Sequence, residues 1–82
     1  MKASAELSMY PLDENYGNII LEFIHRLKKY EDITVKSNSF STQIFGDYDR
    51  LMDVLKKELE TSFEKEEAVV VVMKMVNLDL KT

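Results

Sequence analysis

The stretch FSTQIFGDYD, residues 40–49, decides the fold class of this chain. Its first six residues alternate between polar and apolar side chains, which predicts a strand that ends at Gly46. An acidic residue, Asp47 or Asp49, then caps a strongly amphipathic helix. The stretch is therefore a strand that leads directly into a helix.

The front of the chain has the same organisation. Residues Ala3–Tyr10 alternate, Pro11 ends the strand, and the polar residues Asp13–Asn15 begin a second amphipathic helix that runs to about Tyr30. The short segment Ile33–Lys36 predicts an edge strand that lies between the two strand–helix units. Two such units occupy most of the 82 residues.

The last predicted strand, Ala68–Leu80, completes the order strand, helix, strand, strand, helix, strand. This order predicts an α+β, ferredoxin-like βαββαβ fold, with a four-stranded antiparallel-type sheet and two helices on one face. Right-handed crossovers would place the first and third strands parallel at the centre, flanked by the fourth and the second. The core of the last strand, Val69–Met75, is apolar at every position but Lys74, which predicts that both of its faces are covered. Because two helices cover only one side of the sheet, we infer a second copy on the other.

Composition restricts the classes of function. A chain of 82 residues forms one domain, residues 1–82, and the absence of cysteine excludes disulfides and thiolate metal sites. Its net charge of −4 argues against nucleic-acid binding, as does the lack of basic residues in the third strand. No apolar run is long enough to cross a membrane, and Met1–Glu6 does not resemble a signal peptide. We expect a cytoplasmic protein that binds neither nucleic acid nor membrane.

Catalytic motifs are missing from the chain. The single histidine, His25, has no ligand partner at helical spacing, so no metal site is expected. With glycine only at Gly17 and Gly46, there is neither a nucleophile elbow nor a phosphate-binding loop. Glu6 could serve as an acid or base, but no second catalytic group accompanies it. We therefore expect no enzyme activity, no catalytic residue and no cofactor.

Polar and aromatic side chains converge on the helix-free face of the predicted sheet. Alternation places three side chains of the first strand beside three of the third, and Tyr10 and Phe45 could stack on a flat ligand or lie buried between sheets. Carboxylate, hydroxyl and amide groups suit a planar heterocycle with amino groups better than a phosphate. The residues that provide these groups and rings are Glu6, Ser8, Tyr10, Asn38, Ser41, Thr42, Gln43 and Phe45.

Three blocks of sequence resemble the YkoF-like family, which binds thiamine and hydroxymethylpyrimidine, and its single-repeat relatives. The blocks are Leu7–Leu12 (LSMYPL), Phe40–Gly46 (FSTQIFG) followed by Asp49, and Val76–Leu78 (VNL). The spacing between the blocks also fits, so the resemblance covers nearly the whole chain.

The resemblance implies a ferredoxin-like fold, sheets that associate face to face, and reversible binding of thiamine or its pyrimidine moiety near the sheet–sheet junction. YkoF itself carries two repeats, so a single-repeat chain would form a homodimer, and a dimer of dimers would give a homotetramer. By motif position it implies Ser8, Tyr10, Ser41 and Thr42 as ligand contacts. Strand alternation, not the resemblance, adds Glu6 and Gln43 to this ligand-binding set.

The predicted role is non-catalytic binding for sensing, buffering or delivery to a transporter. Two alternatives stay open on the sequence alone. One is an oligomeric structural or interaction module without a small-molecule ligand. The other is an enzyme that acts on a pyrimidine or thiamine precursor and takes a second titratable group from a neighbouring subunit.

Overall fold

The computed structural model describes residues 1–82 and contains four strands and two helices in the predicted order. The sheet has the strand order β2-β3-β1-β4, so the chain has the α+β, ferredoxin-like fold. Neither helix combines the length and apolar character that crossing a membrane would require. The elements are β1 (Lys2–Pro11), α1 (Tyr16–Lys28), β2 (Thr34–Ser37), β3 (Thr42–Asp47), α2 (Tyr48–Lys65) and β4 (Val69–Val76).

The expected parallel arrangement of the two central strands is wrong. β1 and β3 are antiparallel, with Glu6 opposite Gln43 and Ser4 opposite Phe45. The crossover through α1 returns the chain parallel to β1 at β2, one position away in the sheet. The short turn after β2 then reverses the chain, so β3 enters between them antiparallel to both.

The core lies between one face of the sheet and the two helices. Alternate residues of β1 are buried on this face and contact the inward stripe of α1, as the sequence pattern predicts. Phe23 and Leu27 of α1 are fully buried, and Ile44 of β3 and Leu51 of α2 complete the layer. The residues of β1 that belong to this core are Ala3, Ala5, Leu7 and Met9.

The buried face of α2 differs from the apolar stripe that helical spacing predicts, which consists of Leu51, Met52, Leu55, Leu59 and Phe63. Met52 and Phe63 are exposed, whereas Val54, Glu58 and Ser62 are buried. The two polar residues are buried because Arg26 of α1 hydrogen-bonds both of them. A count of apolar residues along α2 misses this face, because the Arg26 guanidinium of the neighbouring helix satisfies its polar groups.

Both strand ends next to the predicted site also differ from expectation. β1 extends through Pro11, and the Leu12 N–H continues the ladder by donating to the Ala68 carbonyl at 3.0 Å. β3 runs from Thr42 to Asp47, not from Phe40 to Phe45, and Phe40 is 91% exposed. At the start of α2, Asp47 occupies the N-cap position without a side-chain cap bond.

Within one chain β4 is exposed on both faces, and its cover by a second copy stays a prediction. Val70 and Val72 are exposed on the helix-free face, and Met73 and Met75 are exposed on the helix side. The helix layer ends over β1, so one chain covers neither face of this edge strand fully.

The C-terminal segment, residues 77–82, crosses part of the helix-free face. The Ser4 hydroxyl donates to the Leu78 carbonyl at 2.7 Å and accepts from the Leu80 N–H at 2.9 Å. The Lys36 ammonium donates to the Thr82 carbonyl oxygen at 2.7 Å. The half of the face near Ser4 is therefore covered, and the half near Tyr10 stays open.

The surroundings of the two glycines predict different effects on stability when a methyl group is added. Gly17 lies in the first turn of α1 at negative φ with open space around its α-carbon, so Gly17→Ala should raise the free energy of unfolding by about 0.5–1 kcal/mol. At Gly46 the same methyl group would lie 3.2 Å from Cγ2 of the buried Ile33, and we expect no gain. Urea denaturation of the two variants checks this, and equal stabilisation would contradict the packing at Gly46.

Candidate functional site

Two cavities lie next to the residues that the sequence identified. We call the first, of about 320 Å³, the end cavity, because it lies where β1 ends, α1 begins and the β2–β3 loop passes. The second, of about 460 Å³, is the sheet-face cavity, which opens on the helix-free face. The end cavity is lined by residues 7–11 of β1, by Tyr16, Ile20, Phe23 and Ile24 of α1, and by residues 38–42.

The β2–β3 loop is held by hydrogen bonds of its own. The Asn38 side-chain oxygen accepts from the backbone N–H groups of Phe40, at 2.8 Å, and Ser41, at 3.1 Å. The Asn38 N–H donates to the Ser41 carbonyl at 3.1 Å, and the Ser8 hydroxyl joins the loop to β1 by donating to the Phe40 carbonyl at 3.3 Å. These contacts fix the mouth of the end cavity and leave the Phe40 ring in solvent.

The end cavity is aromatic and uncharged. The rings of Tyr10, Tyr16 and Phe40 border it and are each more than half exposed. Hydroxyl and amide groups provide its polar part, and no acidic, basic or histidine side chain lines it. Such a surface can stack on a planar ring, attract an organic cation through aromatic faces, and hydrogen-bond the edge of a heterocycle.

The Ser41 hydroxyl connects the end cavity to the sheet-face cavity. It donates to Glu6 Oε2 at 2.9 Å, while the Lys74 ammonium lies 3.1 Å from Glu6 Oε1. The hydrogen bond from Lys74, followed by that from Ser41, lowers the pKa of the Glu6 carboxyl. Glu6 is therefore an ionised hydrogen-bond acceptor at neutral pH and is poorly suited to act as a general acid.

The structure divides the six predicted ligand-binding residues between the two cavities. Those implied by the resemblance, Ser8, Tyr10, Ser41 and Thr42, all line the end cavity. The two added from strand alternation, Glu6 and Gln43, line the sheet-face cavity. Glu6 and Gln43 share a face of the sheet with Ser8 and Tyr10, but they lie further along the strands.

Phe45 takes the second aromatic position that the sequence suggested. It is 7% exposed and lines the sheet-face cavity, with the Lys36 ammonium 5.7 Å from its ring centroid. Tyr10 and Phe45 therefore serve different cavities and cannot be alternatives for one stacking position.

Sequence reasoning missed two aromatic residues of the end cavity. Helical spacing predicts Tyr16 in the apolar stripe of α1, and strand alternation predicts Phe40 on the same side of a strand as Thr42 and Ile44, whereas both rings border the end cavity. The signal available for Phe40 is the preceding Ser-Asn-Ser turn, because an Asn side chain that caps the following N–H groups favours a loop over a strand. His25 is exposed on α1, and the structure contains no group of three or more His, Asp or Glu side chains that could hold a metal ion.

Comparison with solved structures finds the same fold in proteins from several organisms. SP2199 from Streptococcus pneumoniae is 29% identical, with a TM-score of 0.87 over 98% of this chain and 90% of that chain. MJ1052 from Methanocaldococcus jannascii is 26% identical, with a TM-score of 0.80 over 99% and 84% of the two chains. TM0486 from Thermotoga maritima, provisionally a thiamine biosynthesis/salvage protein, is 16% identical, with a TM-score of 0.83 over 99% and 85%.

No curated protein matches the chain significantly. A family model does match, and it spans residues 2–78, which include all four strands, both helices and every residue that lines the two cavities except Leu80. Together with the fold, this match shows that the chain belongs to the YKOF-related family.

Proposed function

We propose that this protein binds thiamine or its hydroxymethylpyrimidine moiety reversibly in the end cavity, without chemical turnover. The observation that carries the proposal is the convergence of Ser8, Tyr10, Ser41 and Thr42, the residues implied by the family resemblance, on one uncharged aromatic cavity. The provisional assignment of the Thermotoga relative to thiamine biosynthesis or salvage supports the same ligand class. Binding without turnover suits sensing, buffering or delivery.

The hydroxyl groups of the cavity suit the edge of an aminopyrimidine. The Ser41 proton is committed to Glu6, so the lone pairs of its oxygen are free to accept from the exocyclic amino group. Thr42 is 6% exposed as a residue, but its hydroxyl makes no hydrogen bond within the chain and is accessible from the cavity, so it can donate to a ring nitrogen. Glu6 then acts through Ser41 and not by direct contact.

The aromatic rings suit the rest of the ligand. Tyr10, Tyr16 and Phe40 can stack on the pyrimidine, and their faces can attract the thiazolium cation, which no carboxylate in the cavity would neutralise. Binding of both thiamine and the free pyrimidine follows from this arrangement, with the cation–π contribution present only for thiamine.

We further propose that the working form is a homo-oligomer in the cytoplasm, in which two sheets pack through their helix-free faces. The open half of that face, with Val70, Val72 and Tyr10 exposed, supports such packing. The end cavity lies beside this half, so a neighbouring subunit would narrow its mouth.

Thr42→Val should weaken binding by about 1–3 kcal/mol, because it removes a hydrogen-bond donor from the cavity while conserving side-chain volume. Calorimetric titration with thiamine and, separately, with hydroxymethylpyrimidine measures the change. Glu6→Gln should weaken binding less than Thr42→Val, since it changes only the acceptor of the Ser41 hydroxyl proton and no direct contact with the ligand. Thr61→Val is the matched control, because Thr61 lies on α2 and its hydroxyl donates to the Lys57 carbonyl.

Equal affinity of Thr42→Val and the wild-type protein would exclude the end cavity as the site. Heats that equal those of dilution for both compounds, from folded protein purified without ligand, would contradict the proposed function. The structural or interaction module would then be the better account of this chain.

A further inference from the structure

We infer that Glu6, acting through Ser41, makes the end cavity selective for a pyrimidine that carries an exocyclic amino group over the same ring with a carbonyl oxygen at that position. The inference rests on the function proposed above and deepens it, because it names the residue that decides which edge of a heterocycle is accepted. Glu6 is a positioning residue, since it lines the sheet-face cavity and reaches the ligand only through Ser41.

The direction of the hydrogen bond between Ser41 and Glu6 is fixed by the chemistry of the acceptor. Glu6 forms an ion pair with the Lys74 ammonium, which lies 3.1 Å from Oε1, and an ionised carboxylate has no proton to donate. The Ser41 hydroxyl therefore donates to Oε2, at 2.9 Å. A hydrogen bond to a charged acceptor is stronger than one between neutral groups, so the Ser41 proton stays with Glu6. Ser41 consequently presents only oxygen lone pairs to a ligand in the end cavity.

Ser8 presents the same chemistry to the end cavity, whereas Thr42 does not. The Ser8 hydroxyl donates to the Phe40 carbonyl at 3.3 Å, and a carbonyl oxygen can only accept, so the Ser8 oxygen is also left as an acceptor. The Thr42 hydroxyl makes no hydrogen bond within the chain and can turn to donate or to accept. The other polar side chains of the cavity are all exposed to solvent, and they are Tyr10, Tyr16, Asn38 and Ser39.

The two kinds of pyrimidine edge meet these hydroxyl groups differently. An aminopyrimidine places an N–H donor beside a ring nitrogen that accepts, whereas the oxo form places a carbonyl acceptor beside a ring N–H that donates. The amino group can donate to Ser41, but a carbonyl oxygen would face the Ser41 lone pairs with no proton between the two oxygens. Ser41 could turn its proton to that ligand only by withdrawing it from the Glu6 carboxylate. Thr42 adapts to either ring nitrogen and does not discriminate between the two rings.

Calorimetric titration with thiamine and with oxythiamine, in which a carbonyl oxygen replaces the amino group, tests the inference. The wild-type protein should bind thiamine about 10- to 100-fold more tightly, which is the loss expected for one unsatisfied polar contact. Thr42→Val should weaken the binding of both compounds by a similar factor and keep this ratio. Glu60→Gln, at an exposed carboxylate on α2, is the matched control and should change neither affinity.

Glu6→Gln should remove the selectivity while conserving the shape of the side chain. Because Lys74 can only donate, it holds the oxygen of the introduced amide, and the amide NH2 group then turns to Ser41. Ser41 accepts from this amide, and its own proton becomes free for a carbonyl oxygen of the ligand. Thiamine affinity should fall slightly, oxythiamine affinity should rise, and the ratio of the two should fall by about tenfold or more. Ser41→Ala is a second variant that should bring the ratio close to one, because it removes the acceptor itself.

Hydroxymethylpyrimidine and its oxo analogue should show the same dependence on Glu6, because the contrast lies in the ring edge and not in the thiazolium. Wild-type affinity for oxythiamine that equals or exceeds the affinity for thiamine would overturn the inference and leave thiamine binding intact. The same holds for a ratio that keeps its wild-type value in both Glu6→Gln and Ser41→Ala. A wild-type protein that does not bind thiamine would overturn both the inference and the function on which it rests.

Discussion

Replacing Glu58 with leucine is expected to lower the free energy of unfolding by about 3 kcal/mol, a large part of the stability of so small a domain. Glu58 is 6% exposed, and its Oε1 accepts from Arg26 Nε at 2.8 Å while its Oε2 accepts from the Tyr30 hydroxyl. The substitution leaves a largely buried guanidinium with only the carbonyl of residue 58 and the Ser62 hydroxyl as partners. Urea denaturation of the variant measures the loss.

Glu60→Leu is the matched control, because Glu60 is exposed on the same helix. Surface substitutions of this kind usually change stability by less than about 0.5 kcal/mol. A Glu58→Leu loss as small as that of the control would show that the ion pair between the helices is not a stabilising contact.

The same network predicts how stability depends on pH. Burial alone would raise the pKa of Glu58, but hydrogen bonds from Tyr30 and Arg26 outweigh it, and the net pKa is lowered. The hydrogen bond to Glu58, together with burial, raises the pKa of Tyr30. The contribution of Glu58 to the free energy of unfolding is therefore present above about pH 4 and is lost as the pH falls through the pKa of Glu58 in the folded state. The contribution of Tyr30 is lost as the pH rises above about 10. Both slopes should flatten in Glu58→Leu.

Replacing Leu27 with alanine is expected to cost about 3 kcal/mol. Leu27 is fully buried on α1 and belongs to the core cluster between the helices and the sheet. Removing three carbons loses their transfer free energy and leaves a cavity that the strands beneath cannot fill. Thermal unfolding followed by circular dichroism should show a clear fall in Tm.

Leu21→Ala makes the same chemical change on the same helix at a side chain that is 52% exposed. It should change stability by less than about 0.5 kcal/mol. Equal losses in the two variants would contradict the placement of the apolar stripe of α1 and the layered core built on it.

These variants and those of the candidate site are separate in space. Glu58 and Leu27 act on the helix layer, and Thr42 acts on the end cavity. Ligand titration and denaturation therefore report on different parts of the molecule, and the failure of one proposal leaves the others testable.

Local patterns in the sequence determined the elements and their buried faces. Alternation in residues 3–10 and helical spacing in residues 16–27 depend only on the backbone period of each element, and the structure confirms that Ala3, Ala5, Leu7 and Met9 face the helices. The order of elements, with right-handed crossovers, also predicted the observed strand order. The blocks LSMYPL and FSTQIFG identified the family that the family model confirms.

Tertiary structure alone decided what lies together along the sheet. Periodicity reports the face on which a side chain lies but not its distance from residues on other strands, so Glu6 and Gln43 shared a face with Ser8 and Tyr10 and yet line another cavity. Burial of Glu58 depended on Arg26, which lies 32 residues away in the chain and contacts it only once the two helices pack.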